Sequence, residues 1–545
     1  MEVAVVKLKR NRSMRGSLCL LLWAVFISWA FMTRSEGIPV CATVEDNPEF
    51  NPQQKDFLYL VKVLEEGHPN IHKNFPNDEF KKETQRVLQQ LRHRVDEEDF
   101  LLILQQFCAH AADGHTEVFL SKILSALERF PFHVRFLKDG AYWDAVDLSM
   151  DARFIGARLL MVDGRPMEEV QRVIGSLASC ENDVCRHEKL AEYLTCPRIL
   201  RFMGVIADPI SAKVRVLTRD GKEETLVVFA KEAKTIQWRA VEFQAHPVTR
   251  ERKDWFWYRV LPEKHLCYMQ FNKFMDRQSW SGIVRALGLE KHANQQEMNA
   301  LPDFREFLQV MIEEMMNKNV RTWAIDLRHN GGGSSLLGYQ IMYFLDSLPE
   351  TFNDFQETLK VSSVFQHRYP DWFAELEKRS MEQYGRKFPV PCFYQRGEFR
   401  KERIDVIDRR TTRKGFFQNI ENPKSPNYIS RLNRRFQGRI ILLIGPSTFS
   451  SASLFATLMR DNNFAMLIGQ PISQKPSSCG ERLIFDLPES KISASVSCKI
   501  FYRPDASKDK DATLNPDVEI WPSFDDLVQG RDPVFEYALR VAEEN

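Results

Sequence analysis

Apolar residues recur every three to four positions in three stretches between residues 51 and 112. The stretches read DFLYLVKVLEE, FKKETQRVLQQLRHRV and EDFLLILQQFCAHAA. This spacing puts the apolar side chains on one face of a helix, so it predicts three amphipathic helices. The third helix is expected to stop at Asp113-Gly114, a typical helix end. The pattern indicates a small helical N-terminal domain over residues 45–125.

The pattern changes to short strands between residues 134 and 235. AYWDAVDLS, ARLLMVDG and AKVRVLTRDGKEETLVVFA are rich in β-formers, and Asp-Gly turns lie between or after them. A helical stretch, MEEVQRVIG, lies within the same region. We therefore predict a compact, mostly β insert.

From about Tyr258 strands and helices alternate. HLCYMQFN, RTWAIDL, RIILLIG and FAMLIG are predicted strands, and DFREFLQVMIEEMMNKN, LLGYQIMYFLDSL and ASLFATLMR are predicted helices. Such alternation favours an α/β layer around a largely parallel sheet. It defines a predicted third domain over residues 245–545. The sequence does not assign a role to the polar segment from Pro349 to about Gly438.

The N-terminus has the organisation of a secretory signal. A basic stretch, MEVAVVKLKRNRSMRG, precedes a charge-free apolar run from Ser17 to Met32, and small residues around Gly37 suit cleavage there. We expect a signal peptide over residues 1–37 and a secreted or extracellular protein. The alternative is an uncleaved signal anchor, which would make it a membrane protein.

The overall composition excludes some classes of partner. The 545 residues carry 75 Lys plus Arg and 74 Asp plus Glu, with 43% hydrophobic and 27% charged residues. This suits a globular protein and gives no reason to expect a nucleic-acid partner. The Walker pattern and paired CxxC motifs are missing, so no cofactor and no metal are expected.

Ten cysteines fit an oxidising compartment, where some would pair. Cys479 and Cys498 flank a predicted hairpin, which predicts a disulfide across it. Cys180, Cys185 and Cys196 form a second cluster.

Two strand-to-helix turns carry candidate chemistry. GPSTFSSASLF places Ser450 just before a helix, where unpaired backbone N–H groups favour a nucleophilic oxygen and its oxyanion. Ser450 could equally be a simple helix cap. DLRHNGGG, Asp326 to Gly333, is the second turn, and its glycines allow close approach of backbone N–H groups to a ligand.

Two side chains could serve as the base for Ser450. His115, in ADGHT, follows a helix end, and a neutral imidazole can accept a proton. Lys475, in GQPISQKPSSCGE, follows the strand after the Ser450 helix, and a desolvated lysine can do the same.

Taken together, AIDLRHNGGG and LLIGPSTFSSASLFATLMRDNNFAMLIGQP resemble the C-terminal processing (tail-specific) serine proteases of the ClpP/crotonase superfamily. Asp326, Leu327, Arg328, Asn330, Gly332 and Gly333 match the family's first turn, Thr448 and Ser450 its nucleophile turn, and Gly469 and Pro471 its following strand end. Ser453 and Gln470 replace acids of the family pattern. ADGHT and the preceding EEGHPNIHKNF are similar to the histidine-using, tricorn-core-like branch.

The resemblance implies an α/β, ClpP/crotonase-like catalytic domain with a helical N-terminal domain and a degenerate PDZ-like insert. It implies Ser450 as nucleophile and His115 as base, with Lys475 as the alternative base. A triad acid would come from RPDASKDKDATLNPD, with Asp509 the first choice and Asp511 the second. The amides of Gly332 and Ser451 would form the oxyanion hole.

The function expected from this resemblance is a secreted serine endopeptidase acting on protein or peptide substrates. The alternative is a catalytically silent crotonase-like protein that binds peptides or apolar ligands. Assembly into a homo-oligomer stays open.

Overall fold

The computed structural model describes residues 50–120, 124, 128–240, 246–286, 293–404, 409–425, 428–430 and 434–544. The predicted signal peptide lies outside these residues. Within the described ranges, no helix combines the length and the apolar character needed to cross a bilayer.

The three predicted N-terminal helices are present as α1 (Pro52–Gly67), α2 (Asn77–Gln90) and α3 (Glu97–Ala109). Asn51 and Gln54 form a reciprocal capping box at the start of α1, and Pro52 occupies the first helical turn. The apolar faces meet through aromatic pairs such as Phe57 with Phe107, whose ring centroids are 5.0 Å apart. The periodicity therefore located each of these helices.

The insert contains a seven-stranded sheet in the order β10-β4-β5-β7-β8, with β3 paired to β4 and β6 paired to β5. The predicted helix over residues 167–175 is present, but two further helices pack beside the sheet. The elements are β2 (Glu128–Arg129), β3 (Phe132–Leu137), β4 (Gly140–Asp147), β5 (Arg158–Val162), β6 (Arg165–Pro166), α4 (Met167–Gly175), α5 (Asp183–Tyr193), α6 (Pro197–Phe202), β7 (Ser211–Leu217), β8 (Glu223–Phe229), β9 (Lys231–Glu232) and β10 (Trp238–Ala240).

The C-terminal region is built on a six-stranded sheet with the order β11-β12-β13-β19-β20-β23. Only β11 is antiparallel; the other strands pair in parallel. The six strands are β11 (Phe256–Leu261), β12 (Leu266–Phe271), β13 (Thr322–Asp326), β19 (Arg439–Ile444), β20 (Met466–Gly469) and β23 (Val518–Glu519). Their apolar residues are buried on both faces because helices cover the sheet from both sides, as expected for parallel strands.

The remaining helices and strands of this region connect or flank that sheet. They are α7 (Arg277–Ala286), α8 (Gln295–Asn299), α9 (Phe304–Asn317), α10 (Leu336–Tyr343), β14 (Thr351–Asn353), β15 (Gln356–Val361), α11 (Ser363–Arg368), α12 (Pro370–Tyr384), β16 (Cys392–Gln395), β17 (Glu398–Arg400), β18 (Arg410–Thr412), α13 (Arg413–Ile420), α14 (Ser451–Asp461), β21 (Ser478–Asp486), β22 (Ser493–Tyr502), α15 (Phe524–Gln529) and α16 (Pro533–Glu543).

A second sheet joins distant parts of the chain in the order β1-β22-β15-β16-β17, with β21 also paired to β22. Its first strand, β1 (Glu117–Val118), follows His115 directly and pairs with Ser495 and Ala494 of β22. The polar segment from Pro349 contributes β15, β16 and β17 to this sheet. That segment is therefore part of the folded scaffold around the site.

The cysteines pair differently from the prediction. Cys180 and Cys185 form a disulfide, whereas Cys479 and Cys498 are free thiols. The hairpin itself is present, but its register sets Cys479 opposite Ile500, and Cys498 instead donates its thiol hydrogen to the Glu481 carbonyl. The predicted disulfide is wrong because the two thiols do not face each other across the ladder.

A buried ion cluster ties the C-terminal helix to the core sheet. Arg328 donates to both carboxylate oxygens of Asp326 and, at 2.9 and 2.8 Å, to those of Asp532 at the start of α16. Burial by itself would raise the pKa of Asp532, but the Arg328 guanidinium holds it below its ordinary range. Arg328 of the DLR motif thus has a structural role next to the glycine turn.

We expect Arg328→Met to lower the free energy of unfolding by about 3–5 kcal/mol, because it leaves two buried carboxylates without their cation. Arg153→Met is the control, since its ion pair with Glu224 is largely exposed and should be worth at most about 1 kcal/mol. Urea unfolding at pH 7 measures both. Equal losses in the two variants would contradict this account.

The same cluster predicts a pH dependence. The folded-state pKa of Asp532 lies below the unfolded value of about 3.9, so its stabilisation is present above that pH and is lost as the pH falls. In Arg328→Met the buried carboxyls favour protonation, so acid should destabilise the variant less than the wild type. Urea midpoints between pH 3 and 6 test the sign.

Candidate active site

The two candidate turns leave neighbouring parallel strands at the same edge of the sheet. The glycine turn follows β13, the Ser450 turn follows β19, and Asp326 pairs with Leu443 across the two strands. At Gly332, with φ +101°, an added Cβ would lie 2.7 Å from Ser450 Cβ and 2.9 Å from the Ser451 nitrogen. Only glycine allows this approach, so the triple glycine places backbone directly against the candidate nucleophile.

Ser450 is held in a backbone conformation that side chains rarely adopt. Its φ of 54° and ψ of −125° put it outside the helical and extended regions, immediately before α14. The Ser450 side chain makes no capping hydrogen bond, which removes the simple cap interpretation. Its backbone N–H instead donates to Gln474 Oε1 at 2.5 Å, while the Gln474 amide donates to Ser478 Oγ. These hydrogen bonds fix the turn, and the Ser450 hydroxyl takes no part in them.

His115 reaches Ser450 from the other end of the chain. His115 Nε2 lies 3.2 Å from Ser450 Oγ, although 335 positions separate the two residues. The imidazole stacks on the ring of Phe449, with centroids 4.8 Å apart. Pairing of β1 with β22 and a hydrogen bond from Ser495 Oγ to the His115 carbonyl hold the loop in place. The structure therefore brings together the two residues that the sequence offered as nucleophile and base.

Asp113 is the acid beside His115. Its Oδ1 lies 3.7 Å from His115 Nδ1 and accepts the His115 backbone N–H at 3.0 Å. Thr116 and Ser497 donate hydroxyl hydrogens to Oδ2 at 2.5 and 2.6 Å. Burial would raise the pKa of Asp113, but its interactions with His115 and His68 hold that pKa well below its ordinary value. Asp113 is thus a buried carboxylate kept in its charged form.

The acids predicted from the C-terminal loop are engaged elsewhere. Asp509 pairs with Arg409 at 3.2 Å and accepts the Ser477 hydroxyl, and Asp511 pairs with Arg503 at 2.9 Å. Both arginines are buried, so each draws a carboxylate to itself. Neither acid contacts His115, and the sequence-based choice of Asp509 is replaced in this geometry by Asp113.

Lys475 lies next to the site without entering it. Its backbone N–H donates to Glu181 Oε2 at 2.5 Å, whereas Ser473 and Gln474, not Lys475, line the cavity at Ser450. Burial, together with repulsion from Asp113, raises the pKa of Glu181 well above its ordinary value. The Cys180–Cys185 disulfide closes the short loop that contains Glu181, and this loop contacts Lys475.

The predicted oxyanion donors are only partly free. The Gly332 N–H donates to Asn330 Oδ1 at 2.9 Å, so it is already satisfied. Within the described residues, the Ser451 and Gly333 N–H groups have no recorded acceptor, and both residues line the cavity at Ser450. Ser451 and Gly333 therefore carry unpaired N–H groups at the cavity, while Gly332 allows the close approach of the backbone.

Two connected cavities open at Ser450. The first, of about 530 Å³, contains His115, Ser450 and the glycine turn. The second, of about 780 Å³, extends over an apolar wall that includes Ile283, Leu336 and Leu458. Both are lined by Gly333, Ser335, Ser451, Leu454, Glu481 and Phe501, so they form one cleft. An extended polypeptide would have room on both sides of the hydroxyl.

Comparison with known proteins now identifies the scaffold. Residues 268–520 match the model of Peptidase family S41, a range that contains both turns and the strands that carry them. Residues 268–520 form a domain of peptidase family S41. The chain is accordingly a serine-type peptidase, and its α/β fold with a helical N-terminal region and a β-rich insert is the S41 fold.

Two solved structures share the overall fold of this chain. Mature CPAF superposes with a TM-score of 0.59 at 15% identity, over 90% of this chain and 96% of that one. Mature CPAF complexed with lactacystin gives 0.58 at 14% identity, over 90% and 98%. The photosystem II D1 C-terminal processing protease also matches, with a TM-score of 0.38 at 11% identity over 91% and 98%. No curated protein sequence matches the chain.

Sequence reasoning missed Asp113 as the acid, although Asp113 stands two residues before His115. The signal available was local: a carboxylate at a helix end followed by Thr116, a ready hydrogen-bond donor. Gln474 gave no signal, and EEGHPNIHKNF, which contains His68, gave no indication of a contact with Asp113, because the partners lie 24 and 45 positions away in the chain and depend on the tertiary fold.

The strain at Ser450 predicts an unusual order of stability. We expect Ser450→Gly to be more stable than Ser450→Ala by about 1 kcal/mol or more, because glycine adopts a positive φ freely. At an ordinary position glycine is the less stable of the two. Urea unfolding of both variants tests this, with Ser447→Gly and Ser447→Ala in the same turn as the matched control. The usual order at position 450 would show that the backbone is not strained there.

Proposed function

We propose that this chain is a secreted endopeptidase of the histidine-using branch, in which Ser450 forms the acyl-enzyme and His115 is the base. The observation that supports this is the 3.2 Å contact between His115 Nε2 and Ser450 Oγ at the bottom of the cleft. The Lys475 alternative lacks such a contact among the described atoms. The binding-protein alternative gives no reason for a strained serine paired with a buried histidine.

In the proposed reaction Ser450 Oγ attacks the carbonyl carbon of the peptide bond while its proton passes to His115 Nε2. The C–N bond then breaks, the nitrogen leaves with that proton, and an ester remains on Ser450. Water hydrolyses the ester with the same base. Asp113 would orient His115 through Nδ1 and stabilise the imidazolium, a contact that tightens from 3.7 Å as the charge forms.

The negative charge of the tetrahedral intermediate would be held by the N–H groups of Ser451 and Gly333. Ser451 is the first residue of α14, where the helix dipole adds to the effect. The Ser450 N–H already donates to Gln474 Oε1, which keeps it out of this pair.

The secretory location rests on the N-terminal sequence, and the Cys180–Cys185 disulfide is compatible with an oxidising compartment. Substrates would be polypeptides that bind in extended form along the cleft. One part of the cleft wall is apolar, with Ile283, Leu336 and Leu458, and the second cavity also contains charged side chains, so we expect apolar residues of a peptide to bind against the apolar part only.

The test is labelling and kinetics on the full-length protein. A serine-directed fluorophosphonate should modify Ser450, located by mass spectrometry. Ser450→Ala should abolish labelling, and His115→Ala and Asp113→Asn should lower the labelling rate and peptide hydrolysis on the order of 10²–10⁴-fold. These three variants remove, respectively, the nucleophile, its base and the group that orients the base.

Lys475→Ala and Asp509→Asn are the matched controls, and both should stay within about threefold of the wild type. Loss of labelling in Lys475→Ala with retention in His115→Ala would instead establish a serine–lysine mechanism. A folded wild-type protein that neither reacts with the probe nor cleaves peptides would support the silent binding protein.

A further inference from the structure

A second buried histidine lies on the far side of Asp113. His68, at the end of α1, is 2% exposed, and its Nε2 lies 3.4 Å from Asp113 Oδ2. This distance is long for a hydrogen bond, and Nε2 has no other partner among the described residues. A buried ring nitrogen is therefore aimed at the carboxylate that stands behind His115. The four groups form the sequence Ser450, His115, Asp113 and His68.

The backbone sets the protonation of the His68 ring. The Asn70 N–H donates to His68 Nδ1 at 3.0 Å, so Nδ1 is an acceptor and the ring hydrogen resides on Nε2. The His68 backbone is fixed as well, because its N–H donates to the Leu64 carbonyl and its carbonyl accepts from Lys360 Nζ at 2.9 Å. His68 thus presents a fixed N–H donor to Asp113.

We propose that His68 is a positioning residue of the active site, which donates its Nε2 hydrogen to Asp113 and thereby tunes the interaction of that carboxylate with His115. The proposal deepens the proposed function and rests on it. Asp113 Oδ2 accepts hydrogen bonds from Thr116 and Ser497 and faces His68 Nε2 at 3.4 Å, while Oδ1 faces His115. The donors on Oδ2 fix the plane of the carboxylate and withdraw part of its charge from His115.

Removal of the His68 donor has a defined consequence. The Asp113 carboxylate then carries more uncompensated charge toward His115 and favours the protonated imidazolium, which cannot accept the Ser450 proton. As the pH is lowered, the variant consequently loses activity at a higher pH than the wild type does. A role in packing alone would lower stability without moving the pH dependence.

Other titratable groups face this cluster and stay unchanged in the test. Glu181 interacts with Asp113 from the disulfide loop, and Cys479 faces it from β21. Lys360 contacts the His68 backbone from β15, and Glu65 and Glu66 interact with that lysine from α1. A shift found in His68 variants is measured against this constant background.

The experiment compares side chains that keep or remove each ring nitrogen. His68→Gln keeps an amide donor near the Nε2 position, whereas the shorter amide of His68→Asn lies near the Nδ1 position and leaves no donor at the Nε2 position. His68→Phe keeps an aromatic ring but has neither ring nitrogen. It takes the place of His68→Asn if the Asn variant does not fold. His93→Asn, at an exposed histidine, is the control.

The rate of fluorophosphonate labelling of Ser450 is measured from pH 5 to 9 for each full-length protein. We expect His68→Asn and His68→Phe to label at least tenfold more slowly than the wild type at pH 7. As the pH is lowered, both should lose reactivity at a higher pH than the wild type does. His68→Gln should stay within about threefold, with the wild-type pH dependence, and His93→Asn should match the wild type.

Folded His68→Asn and His68→Phe proteins with an unshifted pH dependence would overturn the proposal, even where the rates are lower. A shift in His68→Gln equal to that in His68→Asn would also overturn it. Both results leave the proposed function standing as long as the wild type labels at Ser450. If the wild type does not label, the proposed function itself fails.

Discussion

The buried carboxylate of Asp113 is the constraint on which the active-site architecture depends. It accepts hydrogens from its own loop and from Ser497 of β22, and it faces His68 at the end of α1. A charge this deeply buried is tolerated only when donors surround it. The helical N-terminal region and the second sheet must therefore meet in one arrangement to form this environment. That same arrangement carries His115 to Ser450, so the fold of one region and the chemistry of another are linked through a single side chain.

The second requirement is close approach of backbone at the end of the parallel strands. Gly332 and Gly333 come so near to Ser450 and Phe274 that a Cβ at either position would overlap backbone or side-chain atoms. The parallel pairing of β13 and β19 puts both turns at the same sheet edge, and the strained Ser450 backbone turns its N–H toward Gln474. The strain is stored where the sheet and α14 together over-determine the conformation, which is the usual location of such strain in enzymes.

The sequence allowed the core elements to be predicted because their signals are local. Apolar periodicity located the three N-terminal helices, the helix over residues 167–175 and the strands that end at the two turns. The helices α5 and α6 were missed because they lie inside a stretch whose strands dominate the pattern. The disulfide prediction failed for a related reason: Cys479 and Cys498 flank a real hairpin, but the register that separates them is set by pairing over the whole of β21 and β22.

The site shows the same division between local and long-range information. Ser450 and His115 stand in motifs whose residue types suggest their chemistry, but only tertiary structure brings them together. Asp509 and Asp511 were selected from a loop rich in aspartate, and the two buried arginines that pair with them cannot be foreseen from spacing. Asp113 does not come from a distant loop, because it stands two residues before His115 in the chain. Because His115 and Asp113 lie on one short loop, their mutual geometry is set locally, and only the contact of His115 with Ser450 depends on how the N-terminal region docks.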